Sequence, residues 1–414
     1  MLNCLLIYCV GNAQQELELN PLAQLEKQAK MQDATNNGLR KLKVSGYIQP
    51  QFQYIEKDAS PRNVTENENK EKSFHRFGIR RGRIKFTYID GIASGVFQLD
   101  MTEKGVGIKD AYLNLRDPWL GTNALRVGVF DRPFGYEISY SSSLRESPER
   151  STIFQTFFPD ERDLGGMITL QPAKTSPWHF FKLEAGLFAG NGIQQETDNR
   201  KDFIGHLFAK KSISNNIDLG FGVSYYNGGV YQGTKNIYTM QGKAFVLNND
   251  ASNLGDFAKR EYFGVDVQFN TISPLGKIKL RGEYLWGTQP GSSVSSKSPN
   301  SSSLPNIDTY IRNFSGGYLI FVQDAGITPF SAVLKYDWYN PNTKVTANEI
   351  GLYGTGKGDV AYKTFGMGIL YRITSNVRLQ AYYELVSNEK TENLDSYNKN
   401  LKDDIFTLRL QYRF

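Results

Sequence analysis

In residues 81–88 one face of a period-two pattern reads Arg81, Arg83, Lys85 and Thr87 and the other carries Ile84, Phe86 and Tyr88. A period of two is that of an extended strand, so the three cations share one face. A row of guanidinium and ammonium groups makes and breaks no bonds. It attracts anions, and arginine forks onto oxyanions. Arg126 stands in the same pattern between Leu125 and Val127. If the apolar face meets lipid, the cations must turn inward, because Arg or Lys on the lipid side at the bilayer midplane costs about 2–4 kcal/mol. They would then line a wet interior, where rings of fixed charge select ions. The competing expectation is that these arginines pair with Asp100, Asp110 or the carboxylates of 131–162 and only brace the wall. A basic wall facing an acidic loop would also set up a transverse field across the lumen.

Other chemistries find little support. The chain has three histidines, His75, His179 and His206, and no G-x-S-x-G, so no nucleophile elbow is expected. Residues 351–358 (GLYGTGKG) nearly spell a phosphate-binding loop, but Gly358 replaces the magnesium-binding Ser or Thr. That segment reads as an outer loop between strands. Asp403 and Asp404 read as solvated loop charge. No catalytic residue, metal site or cofactor is expected.

The elements that must position the cations are strands. From Leu42 onward the period stays at two. It recurs in NIDLGFGVSYY, with Ile217, Leu219, Phe221, Val223 and Tyr225 on one face, and in KIKLRGEYLW and VRLQAYYELV. Sixteen strands are predicted: 42–56, 76–90, 92–102, 107–116, 123–130, 163–172, 178–190, 199–211, 216–227, 259–270, 277–288, 309–324, 329–340, 360–374, 376–389 and 403–414. Most are long enough to cross a bilayer at a tilt, which takes about 9–11 residues. Long links follow the odd strands and tight turns such as Asp90-Gly91 and Thr374-Ser375 follow the even ones, the link at 103–106 being the exception. This rhythm is that of a barrel with short periplasmic turns and long outer loops. The even count requires 238–247 (YTMQGKAFVL) to be an excursion of the fifth outer loop.

Composition agrees. Only 40% of residues are hydrophobic, yet aromatics reach 13% and glycines number 39, which suits a greasy outside around a polar inside. No run of 18 apolar residues exists to form a spanning helix. The net charge of +6 is spread along the chain, so nucleic acid is not an expected partner. Residues 1–13 read as an export signal: an apolar run from Leu2 to Val10, then small residues at Gly11-Asn12-Ala13, though without a basic start. Both cysteines, Cys4 and Cys9, fall within it, and Tyr8 before Cys9 argues against lipid attachment there. Residues 14–41 read as a periplasmic segment, either a short helix or a disordered tail. The barrel is assigned to 42–414. In the last strand Phe406, Leu408, Leu410, Tyr412 and Phe414 share one face and Thr407, Arg409, Gln411 and Arg413 the other.

Four pieces in order, RFGIRRGRIKF, KDAYLNLR, LRVGVFDRPFGYE and SPERSTIFQTFFPDERDLGGM, make residues 76–172 resemble the phosphate-selective porins O and P. Weaker similarity extends from about residue 42 to the end. The resemblance implies a trimeric outer-membrane porin of sixteen strands, its third loop folded into the lumen and arginines at the constriction. By position, Arg80, Arg81 and Arg83 fall on the family's wall arginines, Arg80 being out of phase with the other two. Asp131 to Arg162 falls on the infolded loop, whose Arg132, Arg145, Arg150, Glu146 and Glu149 are further pore-lining candidates. With Glu137, Asp160 and Glu161 that loop is slightly acidic, which departs from a strict anion filter. The function expected is passive diffusion of small hydrophilic solutes with mild anion preference, with a selective oxyanion channel and a non-conducting surface barrel as the alternatives.

Overall fold

The computed structural model describes residues 38, 40–57, 71–298 and 306–414. The expected signal at 1–13 and most of the segment at 14–41 lie outside them. Strands dominate: β1 (Leu42–Ile55), β2 (Phe74–Asp90), β3 (Ala93–Thr102), β4 (Gly105–Arg116), β5 (Ala124–Asp131), β6 (Arg162–Leu170), β7 (Phe181–Phe188), β8 (Asp202–Ser214), β9 (Ile217–Tyr231), β10 (Ile237–Gln241), β11 (Ala244–Asn248), β12 (Phe257–Ser273), β13 (Gly276–Gly291), β14 (Thr309–Asp324), β15 (Phe330–Asn340), β16 (Tyr362–Arg372), β17 (Val377–Asn388) and β18 (Ile405–Arg413). Strand β9 pairs directly with β12, so β10 and β11 form a hairpin outside the wall. Sixteen antiparallel strands therefore make the barrel, and the excursion expected at 238–247 is this hairpin, laid parallel on the start of β14. Closure runs through β1 and β18, where Gly46 and Phe414 exchange backbone hydrogen bonds of 3.0 Å each way. A closed sheet leaves no unpaired edge, which a strand structure in lipid requires.

Alternation sets the two faces. Leu408, Leu410 and Tyr412 are exposed on the outside of β18, while Thr407, Arg409 and Gln411 are buried within. Aromatic rings ring both rims. Phe203, Tyr225, Phe263, Trp286, Tyr284 and Trp338 follow one another at the long-loop rim, with centroids 5.2–6.4 Å apart. Phe330–Tyr371 and Tyr412–Phe414 pairs stand at the short-turn rim. Rings of this kind sit where lipid headgroups begin.

Of three register shifts in the described strands, two matter for the site. On β2, Gln49 pairs with Arg81 and Pro50 with Ile79, so Arg80 has no partner of its own. Pro50 has no N–H to donate, which lowers the cost of an irregular step there. The extra residue lets Arg80 and Arg81 both reach inward, and the phase flips beyond it, leaving Phe77 exposed outside. On β4, Gln98 pairs with Asp110 and Leu99 with Ile108, so Lys109 is the extra residue.

The register of β2 is testable with cysteines, in a background lacking Cys4 and Cys9. Lys85→Cys should react with a membrane-impermeant thiol reagent and Phe86→Cys should be protected by lipid. The opposite pattern would show the strand turned over.

Candidate functional site

The loop from 132 to 161, between β5 and β6, enters the barrel and carries its one short helix, α1 (Thr152–Phe157). Its apolar side explains the seat. Phe157 packs against Phe314, Tyr262 and Tyr339, and Phe158 against Tyr226, with centroids 4.1–6.0 Å apart. These inward aromatics of β9, β12, β14 and β15 form a cradle on one side of an otherwise polar interior. Backbone groups add a polar latch: the amides of Tyr136 and Glu137 donate to the Glu283 carboxylate at 2.9 and 2.5 Å, and Gly135 donates to Ser224 Oγ at 2.9 Å. Only glycine fits at 135, because its φ is +62° and a Cβ would stand 2.2 Å from Glu283 Oε2.

The loop also reaches the other walls. Ser142 bonds Tyr47 at 2.5 Å and its carbonyl accepts from Gln49 at 3.2 Å. Glu146 pairs with Lys279 at 3.1 Å and with Arg281. Glu137 pairs with Lys335 at 3.1 Å. Glu149 receives three arginines, Arg80, Arg81 and Arg409, at 2.8 Å each. Burial pushes the Glu149 carboxyl up, but these three guanidiniums outweigh it and hold it well below the usual carboxylate range. Glu146 and Glu137 are lowered in the same way: burial opposes, and Arg281 or Lys335 prevails. Glu161 is held well below its ordinary value by Arg150, Lys109 and Arg162 against its burial. The acidic loop thus presents no open row of carboxylates to the basic wall. Opposite charges close on each other, because desolvated ions must be paired.

What stays open lies beside β2, β3 and β4. A cavity of about 590 Å³ toward the long loops is lined by Arg80, Arg81, Arg83, Lys104, Lys109, Arg150 and Lys297, against Asp100, Glu149, Asp160 and Glu161. A second, of about 300 Å³ toward the short turns, is lined by Arg83, Lys85, Arg150, Arg162 and Arg413, against Asp110 and Asp131. Cations exceed side-chain carboxylates by three in each. Arg83 and Arg150 line both, so the two cavities flank the same pair of guanidiniums between β2 and the loop.

The residues singled out from the sequence therefore separate into two groups. Arg80, Arg81, Arg83, Lys85, Arg150 and Glu149 border these cavities. Arg81 is only 1% exposed, however, because Glu149 covers its guanidinium, and Arg83 pairs with Asp100 at 3.1 Å. Arg126, Arg132, Arg145 and Glu146 border neither. Arg126 lies over the Tyr112 and Phe130 rings, 4.8 and 5.3 Å from their centroids. Arg132 pairs with buried Asp163 at 3.1 Å and anchors the base of the loop. Arg145 is buried within the loop, its guanidinium has no hydrogen-bond partner among the described residues, and burial together with Arg150 and Arg81 pulls its pKa far down. Glu146 ties the loop to β13 and β17, the latter through Gln380. Sequence reasoning missed Lys109, since strict alternation puts it on the lipid face and only the bulge turns it in. It also missed Lys297, which sits in a Ser-rich stretch read as an outward loop.

No protein-family model and no curated protein matches the sequence. Solved structures do match in fold. An anion-selective porin from Comamonas acidovorans superposes with a TM-score of 0.53 at 10% identity, over 90% of this chain and 99% of that one. OmpT of Vibrio cholerae, in a trimer form, gives 0.52 at 9% identity, over 90% and 99%. OmpF of Salmonella typhi, in complex with daunomycin, gives 0.55 at 12% identity, over 90% and 97%. The chain has the sixteen-stranded fold of the Gram-negative outer-membrane porins.

Proposed function

We propose that this protein is a passive outer-membrane channel for small hydrophilic solutes that prefers anions. The observation that carries this reading is the excess of cations lining both cavities, Arg83 and Arg150 bordering each. An anion passing between β2 and the infolded loop meets more cations than carboxylates in both cavities, where Glu149, Asp100 and Glu161 are each paired with an arginine. Selectivity for phosphate or another oxyanion is the sharper form of this reading, favoured by the clustering of Arg80, Arg81 and Arg83 on one short stretch of β2 and by the resemblance of residues 76–172. The assembly we propose is a homotrimer, a reading supported by the same resemblance and by the trimer form of the Vibrio protein.

The test is the zero-current potential across a bilayer holding a salt gradient. At about 0.1 M salt the screening length is near 10 Å, so wall charge still reaches a permeating ion, and at about 1 M it falls to roughly 3 Å. Wild type should favour anions at low salt and lose most of that preference at high salt. Arg81→Gln with Arg83→Gln should move the channel toward cations several-fold at low salt. An unchanged ion ratio in a folded double variant would reduce these arginines to wall braces.

A further inference from the structure

The sixth long loop, which leaves β13 at Gly291, does not lie on the surface in its first part. It turns back on itself through a Ser292 N–H to Ser295 carbonyl bond of 2.8 Å and enters the barrel mouth. Ser298 then donates its backbone N–H to the carbonyl of Thr156 in α1 at 2.9 Å. The Ser298 hydroxyl accepts from Arg260 at 2.9 Å, and Ser296 bonds the Tyr339 hydroxyl. Ser296 and Ser298 are buried, so the alternating residue, Lys297, is turned away from this contact. It is exposed, forms no ion pair among the described residues and lines the larger cavity across from the wall of Arg80, Arg81 and Lys109.

We propose that this loop is a second constriction element and that Lys297 closes a cationic ring which favours multivalent anions over monovalent ones. The proposal rests on the anion-channel reading and names a residue and a solute class within it. The physical reason is the product of charges. A wall cation acts on a divalent anion with twice the energy it has for a monovalent one, so its effect on permeability is squared. Lys297 is the one lining cation supplied from this side of the cavity, and unlike Arg81 and Arg83 it has no carboxylate in ion-pair contact among the described residues. Its small serine neighbours give it room and a fixed backbone.

The test uses sulfate and chloride as probes in the reconstituted full-length channel at low salt. A unit charge about 7 Å from the ion path should change monovalent permeability about threefold and divalent permeability about tenfold. Lys297→Ser should therefore lower the sulfate-to-chloride permeability ratio about threefold, and Lys297→Arg should keep it near wild type. Lys297→Cys, with Cys4 and Cys9 replaced, allows the charge to be changed on a channel already conducting. A trimethylammonium thiol reagent should raise the ratio and a sulfonate reagent should lower it. If wild type prefers anions and neither the serine variant nor the reagents move the ratio, the proposal falls while the channel reading stands. If wild type shows no anion preference, both fall.

Discussion

Glu149→Gln is expected to unseat the infolded loop at neutral pH. Its carboxylate is the shared partner of Arg80, Arg81 and Arg409 and is 7% exposed. Removing one partner of a buried ion pair costs about 3–5 kcal/mol, because the remaining charges stay desolvated and unpaired. Here three guanidiniums lose one acceptor together. The loop should swing from the β2–β18 side, so single-channel conductance should rise. Anion preference should strengthen, since the cations left behind are no longer offset. Acid should mimic the variant. The folded carboxyl is depressed, so its stabilisation is complete above the unfolded value of about 4.3 and is lost as pH falls through the folded one. Wild type should therefore hold one conductance level across neutral pH and open only in strong acid. Conductance recorded against pH for both proteins checks this. A variant with wild-type conductance at pH 7 would mean that the aromatic seat alone holds the loop.

The second large effect is at that seat. Phe157→Ala should loosen the loop on its other side. Phe157 is about 1% exposed and lies 4.1 Å, centroid to centroid, from Phe314, with Tyr262 and Tyr339 also against it. Truncating a buried phenylalanine costs about 3–5 kcal/mol through lost transfer energy and the cavity left behind. The barrel wall does not depend on this contact, since its strands are paired throughout. Heat-resistant migration of the folded barrel in detergent gels should persist, while residues 132–161 become sensitive to protease and channel noise increases. Cleavage confined to that loop is the expected result. A loss of the folded band would show instead that the aromatic cluster stabilises the wall itself. Because Glu149 and Phe157 hold opposite sides of one loop, the double variant should exceed the sum of the two.

Much of the wall is written in local pattern. Period two is a property of neighbouring residues, so β2, β9, β13 and β18 and their lipid faces can be read from the alternation of Phe86, Phe221, Tyr284 and Leu408 with polar partners. The long and short connections give direction, and the hairpin at 237–248 keeps the count even. Reading Arg81, Arg83 and Lys85 as inward required only that phase. Arg80 and Lys109 needed the pairing registers, because a bulge depends on what the partner strand offers opposite it.

The interior was decided by tertiary structure. Nothing in the order of residues says that Glu149 meets Arg409, 260 positions away, or that Glu146 crosses to Arg281. In the loop read as an acidic field, Glu137, Glu146, Glu149 and Glu161 close into ion pairs, and Arg132, Arg145 and Glu146 border neither cavity. Ser298 joining α1 brought Lys297 to the cavity from a stretch that reads as surface loop. The physical reason is the same throughout. Lipid imposes its demand residue by residue, so the outer face is encoded in alternation. Charges inside the barrel are satisfied by whatever lies across the lumen, which only closure of the sheet and the infolding of its loops determine.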